Sequence, residues 1–301
     1  MAWKGLHITR PGRLSFGDGQ IIVMQEDGDV RLPLEDIGWI IIDEHRISLT
    51  VALISACAEH GIAIVVTDER HMPSSLTLPF HRHHRQASIA ARQTGLSLPF
   101  KKRCWQAIIR AKLTNQAYVL EINARQHAPA LRAMAKLVSS GDAENTEARG
   151  ARQYWSALFE DFIRDDPSDL RNKSLNYGYA IMRAGVARAL VGVGFLPSIG
   201  LHHVSQTNAF NLADDVIEPF RPFVDKLVFE RVKSRSATDD LTIDDRRFFA
   251  GLLLEPAHFG SENMSLLAAC EASSMSLARA MEADDPALLK LRSLVGQLEL
   301  L

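Results

Sequence analysis

Residues 12–42 read GRLSFGDGQIIVMQEDGDVRLPLEDIGWIII, and this stretch decides the first part of the fold. Gly17-Asp18-Gly19 separates two short runs, 13–16 and 20–25, and glycines around an aspartate are hairpin chemistry. Asp27-Gly28 supplies a second turn before Val30-Arg31-Leu32. Ile37-Gly38-Trp39-Ile40-Ile41-Ile42 is an unbroken apolar run of one buried strand's length. Outward from this stretch, 5–9 is a further strand. Ser48 is the expected N-cap of a helix running to about His60, which Gly61 terminates. Ile62 to Val66 returns to β-branched residues. Residues 1–70 are expected to form a β-rich domain, a sheet with one helix.

Composition changes after Arg70. The segment 71–85, HMPSSLTLPFHRHHR, is linker-like. From Gln86 onward Ala, Leu, Arg and Gln dominate at helical spacing. Helices are expected over 104–126, 128–139, 146–163, 172–191, 212–232, 244–254, 261–282 and 286–298. The fold class is therefore α+β: an N-terminal β-rich domain (1–70), a linker (71–85) and an all-α C-terminal domain (86–301).

A chain of 301 residues that is 47% hydrophobic can bury a large core and is not disordered. No apolar run approaches the roughly 20 residues of a membrane span, and the first residues lack signal-peptide character. The three cysteines form no CxxC pair, which argues against a disulfide framework or a structural zinc. A cytoplasmic protein with no membrane partner is expected. Net charge is −2, but its distribution is uneven. Residues 1–80 carry six Lys/Arg against eleven Asp/Glu, whereas 81–126 carry nine Lys/Arg against Glu121 alone. That surplus, which includes Arg82, Arg85, Lys101, Lys102, Arg103, Arg110 and Lys112, fits a polyanion partner.

Three stretches carry candidate chemistry. In Glu147-Ala148-Arg149-Gly150-Ala151-Arg152-Gln153-Tyr154-Trp155, helical spacing puts Gly150, Ala151 and Tyr154 on the face of Glu147. Small residues there admit another backbone or a substrate; alternatively Glu147 pairs with Arg149 or Arg152. Asn176, in an apolar helix, needs a hydrogen-bonding partner, and a satisfied core asparagine is the plainer reading. Asp215 and Glu218 share one helical face, Pro219 and Pro222 interrupt that helix, and at most one of His202 and His203 can enter a given site. Carboxylates on separate helices with an imidazole suit Mg²⁺ or Mn²⁺ and phosphodiester chemistry.

The order EA-x-GA-x-x-YW, LNYGY, G-x-H-H and NLADDVIEPFRP resembles the CRISPR-associated spacer-acquisition integrases of the Cas1 family. The opening Trp3-Lys4-Gly5-Leu6-His7-Ile8-Thr9 resembles its type II branch. The resemblance implies an N-terminal β-rich domain and a helical catalytic domain. It also implies a divalent-metal site in which the family's Glu falls on Glu147, its His on His203 (with His202 less favoured) and its last acid on Glu218, where many relatives have Asp. Asp215 matches a second acid, either a ligand or a supporting group. Tyr154 and Asn176 match supporting positions, and Arg221 and Lys226 match phosphate contacts. The implied reaction is attack of the 3′-hydroxyl of a short DNA on a phosphodiester at a CRISPR repeat boundary, or hydrolysis with water in its place. The implied partners are double-stranded and branched DNA, a second copy in a homodimer, a dimer of the small Cas2 protein bridging two homodimers, and the type II effector nuclease. A nuclease acting without integration and a non-catalytic DNA-binding scaffold are the rival readings.

Overall fold

The structure, a computed structural model, describes residues 4–80, 82–259, 262–291 and 294. In chain order the N-terminal part comprises β1 (Lys4–Ile8), β2 (Gly12–Gly17), β3 (Gln20–Gln25), β4 (Gly28–Pro33), β5 (Ile37–Ile42), β6 (Ile47–Leu49), α1 (Val51–His60), β7 (Ala63–Thr67) and β8 (Pro73–Thr77). They form two four-stranded sheets, β1-β5-β7-β8 and β4-β3-β2-β6.

β5 is buried along its whole length because it is covered twice. Ile40 and Ile42, with Ile64 of β7, face a core closed by Leu14, Ile21 and Val23 of the second sheet and by Leu53, Ala56 and Cys57 of α1. Trp39 and Ile41, with Ala63 and Val65, face the other way and join the core of the helical part. Each buried Ile, Leu or Val among them contributes about 1.5–3 kcal/mol. Gly5 stands beside Trp39 in the parallel register. A Cβ there would lie 2.2 Å from the indole, and the indole Nε1 donates to the carbonyl of Ala250 at 3.1 Å. Arg246 reaches Asp43 at 2.7 Å, and Arg188 donates to the carbonyl of Gly61 at 2.6 Å.

The C-terminal part comprises α2 (Gln86–Thr94), α3 (Leu98–Ile122), α4 (Ala128–Leu137), α5 (Thr146–Leu158), α6 (Leu170–Val193), α7 (Asn211–Val216), α8 (Arg221–Val232), α9 (Ile243–Ala250), β9 (Pro256–Phe259), β10 (Glu262–Ser265) and α10 (Leu266–Ala283). The apolar α6 packs against α8, α9 and α10, while α3 packs against α4, α5 and α8. The α+β division holds, with four local corrections. Residues 73–77, expected in a linker, form β8 on the edge of the first sheet, antiparallel to β7. β9 and β10 form a two-stranded sheet where only helix was expected. The cap of α1 is Thr50, whose side chain accepts from the Leu53 amide, because Ser48 is held in β6 opposite Arg13. Pro219 splits the expected 212–232 helix into α7 and α8, joined by a single 3₁₀ turn at Glu218–Phe220. The expected 286–298 helix falls largely outside the described residues; Pro286–Leu288 form a 3₁₀ turn. No helix among the described residues is long and apolar enough to cross a membrane, and Cys57, Cys104 and Cys270 are buried.

Candidate active site

Glu147 sits in the first turn of α5. Both oxygens of Asp142 accept from that turn, from the amides of Thr146 at 2.8 Å and Glu147 at 2.9 Å, and so anchor the helix start. Gly150 lets α5 approach α3 closely, since a Cβ there would lie 2.4 Å from Leu113. The approach brings Glu147 to Lys112, whose Nζ donates to Glu147 Oε1 at 2.6 Å. Glu147 therefore pairs with Lys112 and not with Arg149 or Arg152, the alternative partners offered by the sequence. The same ammonium lies 2.5 Å from Glu218 Oε2, while Glu218 Oε1 accepts from Arg221 Nε at 2.7 Å. Burial alone would raise the Glu218 pKa, but Arg221 and Lys112 hold it down at about 2. Burial likewise works against a charged Lys112, and Glu218 and Glu147 more than offset it, so the ammonium is held above its ordinary value.

His203 is fixed by a different carboxylate. Asp215 is fully buried. Its Oδ2 accepts from the amides of Leu201 at 2.6 Å and His202 at 3.0 Å; its Oδ1 accepts from the amide of His203 at 3.1 Å and lies 2.6 Å from His203 Nδ1. Gly200 permits this tight loop, since a Cβ there would lie 2.3 Å from the carbonyl oxygen of His203. With Nδ1 engaged, only Nε2 remains for a ligand. The hydrogen bond that His203 Nδ1 donates to Asp215 raises the His203 pKa, burial opposing it. His202 instead stacks flat on Trp105, ring centroids 4.1 Å apart.

His203, Arg164, Asn176, Tyr179, Arg183 and Arg221 line a cavity of 380 Å³. An adjoining cavity of 200 Å³ is lined by Lys112, Glu218 and Asp225 and shares Arg164, Tyr179 and Arg221 with the first. Arg164 is held by neutral groups, donating to Asn172 Oδ1 at 3.1 Å and Asn176 Oδ1 at 2.9 Å. Arg183 pairs with Asp214 at 2.7 Å. Beneath the cleft Asp225 accepts from Tyr154 at 3.0 Å and from Tyr179. Burial pushes its carboxyl up to about 7, against the pull of the two hydroxyls.

The structure redraws several sequence expectations. Asp215, one candidate ligand, has both oxygens consumed by the loop and orients His203. Asn176 is no core asparagine but an exposed residue on the cavity wall. Lys112, counted with the DNA-facing bases, is buried between two carboxylates. Lys101, Lys102 and Arg103 lie at the start of α3, about 14 to 16 Å along the helix from Lys112 at 1.5 Å per residue; Arg82 and Arg85 are elsewhere, on the Glu59 carbonyl and on Glu282. Arg110 donates to the carbonyl of Val138 at 3.1 Å and Lys226 sits 3.9 Å from Glu230. Sequence reasoning misses Arg164, Arg183, Tyr179 and Asp225. A lone acid in the apolar run Phe223-Val224-Asp225 is the available signal for the last.

Among the described residues, no group of three or more His, Cys, Asp or Glu side chains stands close enough to hold a metal ion as placed. Lys112 lies between the two carboxylates. The donor chemistry nevertheless fits a hard divalent cation. Glu218 Oε2 is buried against the Lys112 ammonium, on which Glu147 Oε1 also converges, so two carboxylate oxygens already gather round one positive charge, and a carboxylate-backed imidazole lines the adjoining cavity.

A strand-rich domain fused through a shared core to a helical domain, with carboxylates, imidazole and guanidinium groups in one cleft, defines the molecule. The family model for CRISPR associated protein Cas1 matches residues 6–257. A CRISPR-associated endonuclease Cas1 of Neisseria meningitidis is 40% identical over 273 residues, 90% of each chain. Among solved structures, a casposase bound to integration product superposes with a TM-score of 0.75 at 18% identity, over 94% of this chain and 91% of that one. A chain of a Cas6-RT-Cas1–Cas2 complex gives a TM-score of 0.74 at 17% identity, over 97% of this chain, which spans 36% of that longer one. The chain belongs to the Cas1 family.

Proposed function

We propose that the cleft joins short DNA to a CRISPR array, directing the 3′-hydroxyl of an incoming strand onto a phosphodiester at a repeat boundary. The observation that carries this reading is the convergence of Glu147 and Glu218 on one cation, beside an imidazole whose remaining nitrogen is set by Asp215. Glu147, His203 and Glu218 would hold Mg²⁺ or Mn²⁺, which when bound supplies Lewis-acid charge to the phosphoryl group and acidifies the attacking hydroxyl. Asp215 fixes the His203 tautomer and ring orientation. Arg164 offers guanidinium N–H groups whose present acceptors are neutral amides, so a phosphate oxygen is the stronger acceptor. Arg221 holds Glu218 in place and closes the same wall. Lys101, Lys102 and Arg103 would hold duplex backbone further along α3. The likeness to a chain of a Cas1–Cas2 complex, together with the 40% identical relative, supports an assembly of two homodimers bridged by a Cas2-type dimer on double-stranded or branched DNA. The type II effector nuclease would join through spacer choice.

The test is strand transfer of a labelled short duplex into a supercoiled plasmid carrying a repeat array, with the Cas2-type partner and Mn²⁺. Wild type is expected to label the plasmid, and Glu147→Gln and His203→Ala to lose at least about 100-fold, the scale of losing one ligand or its support. Nicking without joining would replace the integrase reading by a nuclease. Equal labelling by the variants would overturn the site assignment.

A further inference from the structure

The cleft contains a cation of its own. Lys112 lies in mid-helix among the buried Ile108, Ile109 and Leu113, and only 9% of its side chain is exposed. Its ammonium contacts Glu147 Oε1 at 2.6 Å and Glu218 Oε2 at 2.5 Å, one oxygen of each carboxylate. Gly150 packed on Leu113 keeps α3 and α5 at a fixed separation, so the mobile part of this arrangement is the four-carbon stem of the lysine.

The charges make this placement consequential. The two carboxylates and the ammonium together carry one negative charge. A divalent ion added beside the ammonium would leave that group positive, in a cleft that already holds Arg221 and an Arg164 bonded to neutral amides. Cation and ammonium would also compete for the same two oxygens. An ammonium released from them is left in a nearly closed space and needs an anion.

We propose that Lys112 is a tethered counter-cation which a divalent metal displaces from Glu147 and Glu218, coupling metal occupancy to the arrival of a phosphodiester that accepts the released ammonium. The proposal rests on reading Glu147 and Glu218 as metal ligands. It assigns Lys112 a positioning role: without metal it keeps two close carboxylates in place, and with DNA it makes loading cooperative. Such coupling is reciprocal, so a phosphodiester raises metal affinity by the factor by which metal raises phosphodiester affinity.

The test measures Mn²⁺ binding to the full chain by calorimetry and by electron paramagnetic resonance of free Mn²⁺, with and without a cleavage-resistant phosphorothioate oligonucleotide. Wild type is expected to bind Mn²⁺ weakly alone and roughly tenfold tighter with the oligonucleotide, within the usual range of coupling between sites. Lys112→Met is expected to bind Mn²⁺ about tenfold tighter than wild type without DNA, and to lose most of the DNA effect. Lys112→Arg, which keeps the charge, should stay weak. Melting adds a second readout: the Met variant should melt lower than wild type in EDTA and recover with Mn²⁺. Should the Met variant lack a cooperative melt, Lys112→Gln takes its place. Wild type and the Met variant binding Mn²⁺ equally would overturn the counter-cation while leaving the ligand assignment intact. If Glu147→Gln binds Mn²⁺ as wild type does, the ligand assignment fails and the proposal fails with it.

Discussion

Asp215→Asn is the most informative single change outside the proposed ligand set. Asp215 takes four donors on two oxygens: the amides of Leu201 and His202 on Oδ2, and the amide and Nδ1 of His203 on Oδ1. An asparagine keeps one acceptor oxygen and turns its NH₂ group toward two of those donors. Two hydrogen bonds to a charged group disappear, at about 1.5–3 kcal/mol each, so the 201–203 loop should lose roughly 3–6 kcal/mol of local stability. His203 should respond in two ways. The hydrogen bond that raises its pKa is removed, so its titration moves to lower pH. The sign follows from the raised pKa. The ion pair stabilises the fold fully below the unfolded histidine's pKa and is lost as pH rises through the folded one, so the variant should lose most stability on the acidic side. The assays are NMR titration of the His203 ring, hydrogen exchange of the 201–203 amides, and melting across pH 5 to 8. Unchanged ring titration with unchanged exchange would refute the claim that Asp215 builds this loop.

Two further predictions concern the floor of the cleft and the basic surface. Asp225, pushed up to about 7 by burial, binds its proton more tightly folded than unfolded; stability should therefore fall by a few kcal/mol as pH rises from about 4 to 7. Asp225→Asn, which can still accept one tyrosine hydroxyl, should flatten that slope in urea unfolding, and an unaltered slope would count against the assignment. Replacing Lys101, Lys102 and Arg103 by alanine should weaken DNA binding and lower the slope of log affinity against log salt by about 0.9 for each phosphate no longer neutralised; binding isotherms at several salt concentrations check it, and a wild-type slope would remove α3 from the interface.

The sequence carries the architecture where local chemistry and tertiary demand agree. Turn glycines and the fully apolar 37–42 run mark the sheets, and the buried strand expected there is β5. It fails where a strand is specified by its neighbour. β8 opens on Pro73 and runs through two serines, a composition that reads as linker, yet an edge strand tolerates proline at its first position and draws its pairing from β7. The site shows the same division. Motif order points to Glu147, His203 and Glu218; Glu147 and Glu218 meet at Lys112, and His203 lines the adjoining cavity. Lys112 is misread by a charge count, which cannot tell an exposed base from a buried one. The signal is its helical spacing, three and four residues beyond the buried Ile109 and Ile108. Arg164 follows α5 in a segment with no periodicity, and its position depends on amide partners in α6.

The shared core around Trp39 has a mechanical consequence. The indole is wedged on Gly5 on one side and hydrogen-bonded to Ala250 on the other, and Arg246 and Arg188 clasp the seam at Asp43 and Gly61. A seam so filled acts as a weld where many two-domain proteins have a hinge. A partner docked on the β4-β3-β2-β6 sheet would thereby be held at a set distance and angle from Glu147 and His203. Loosening the seam, for instance by Trp39→Ala, should blur the position of the cut before it lowers the rate.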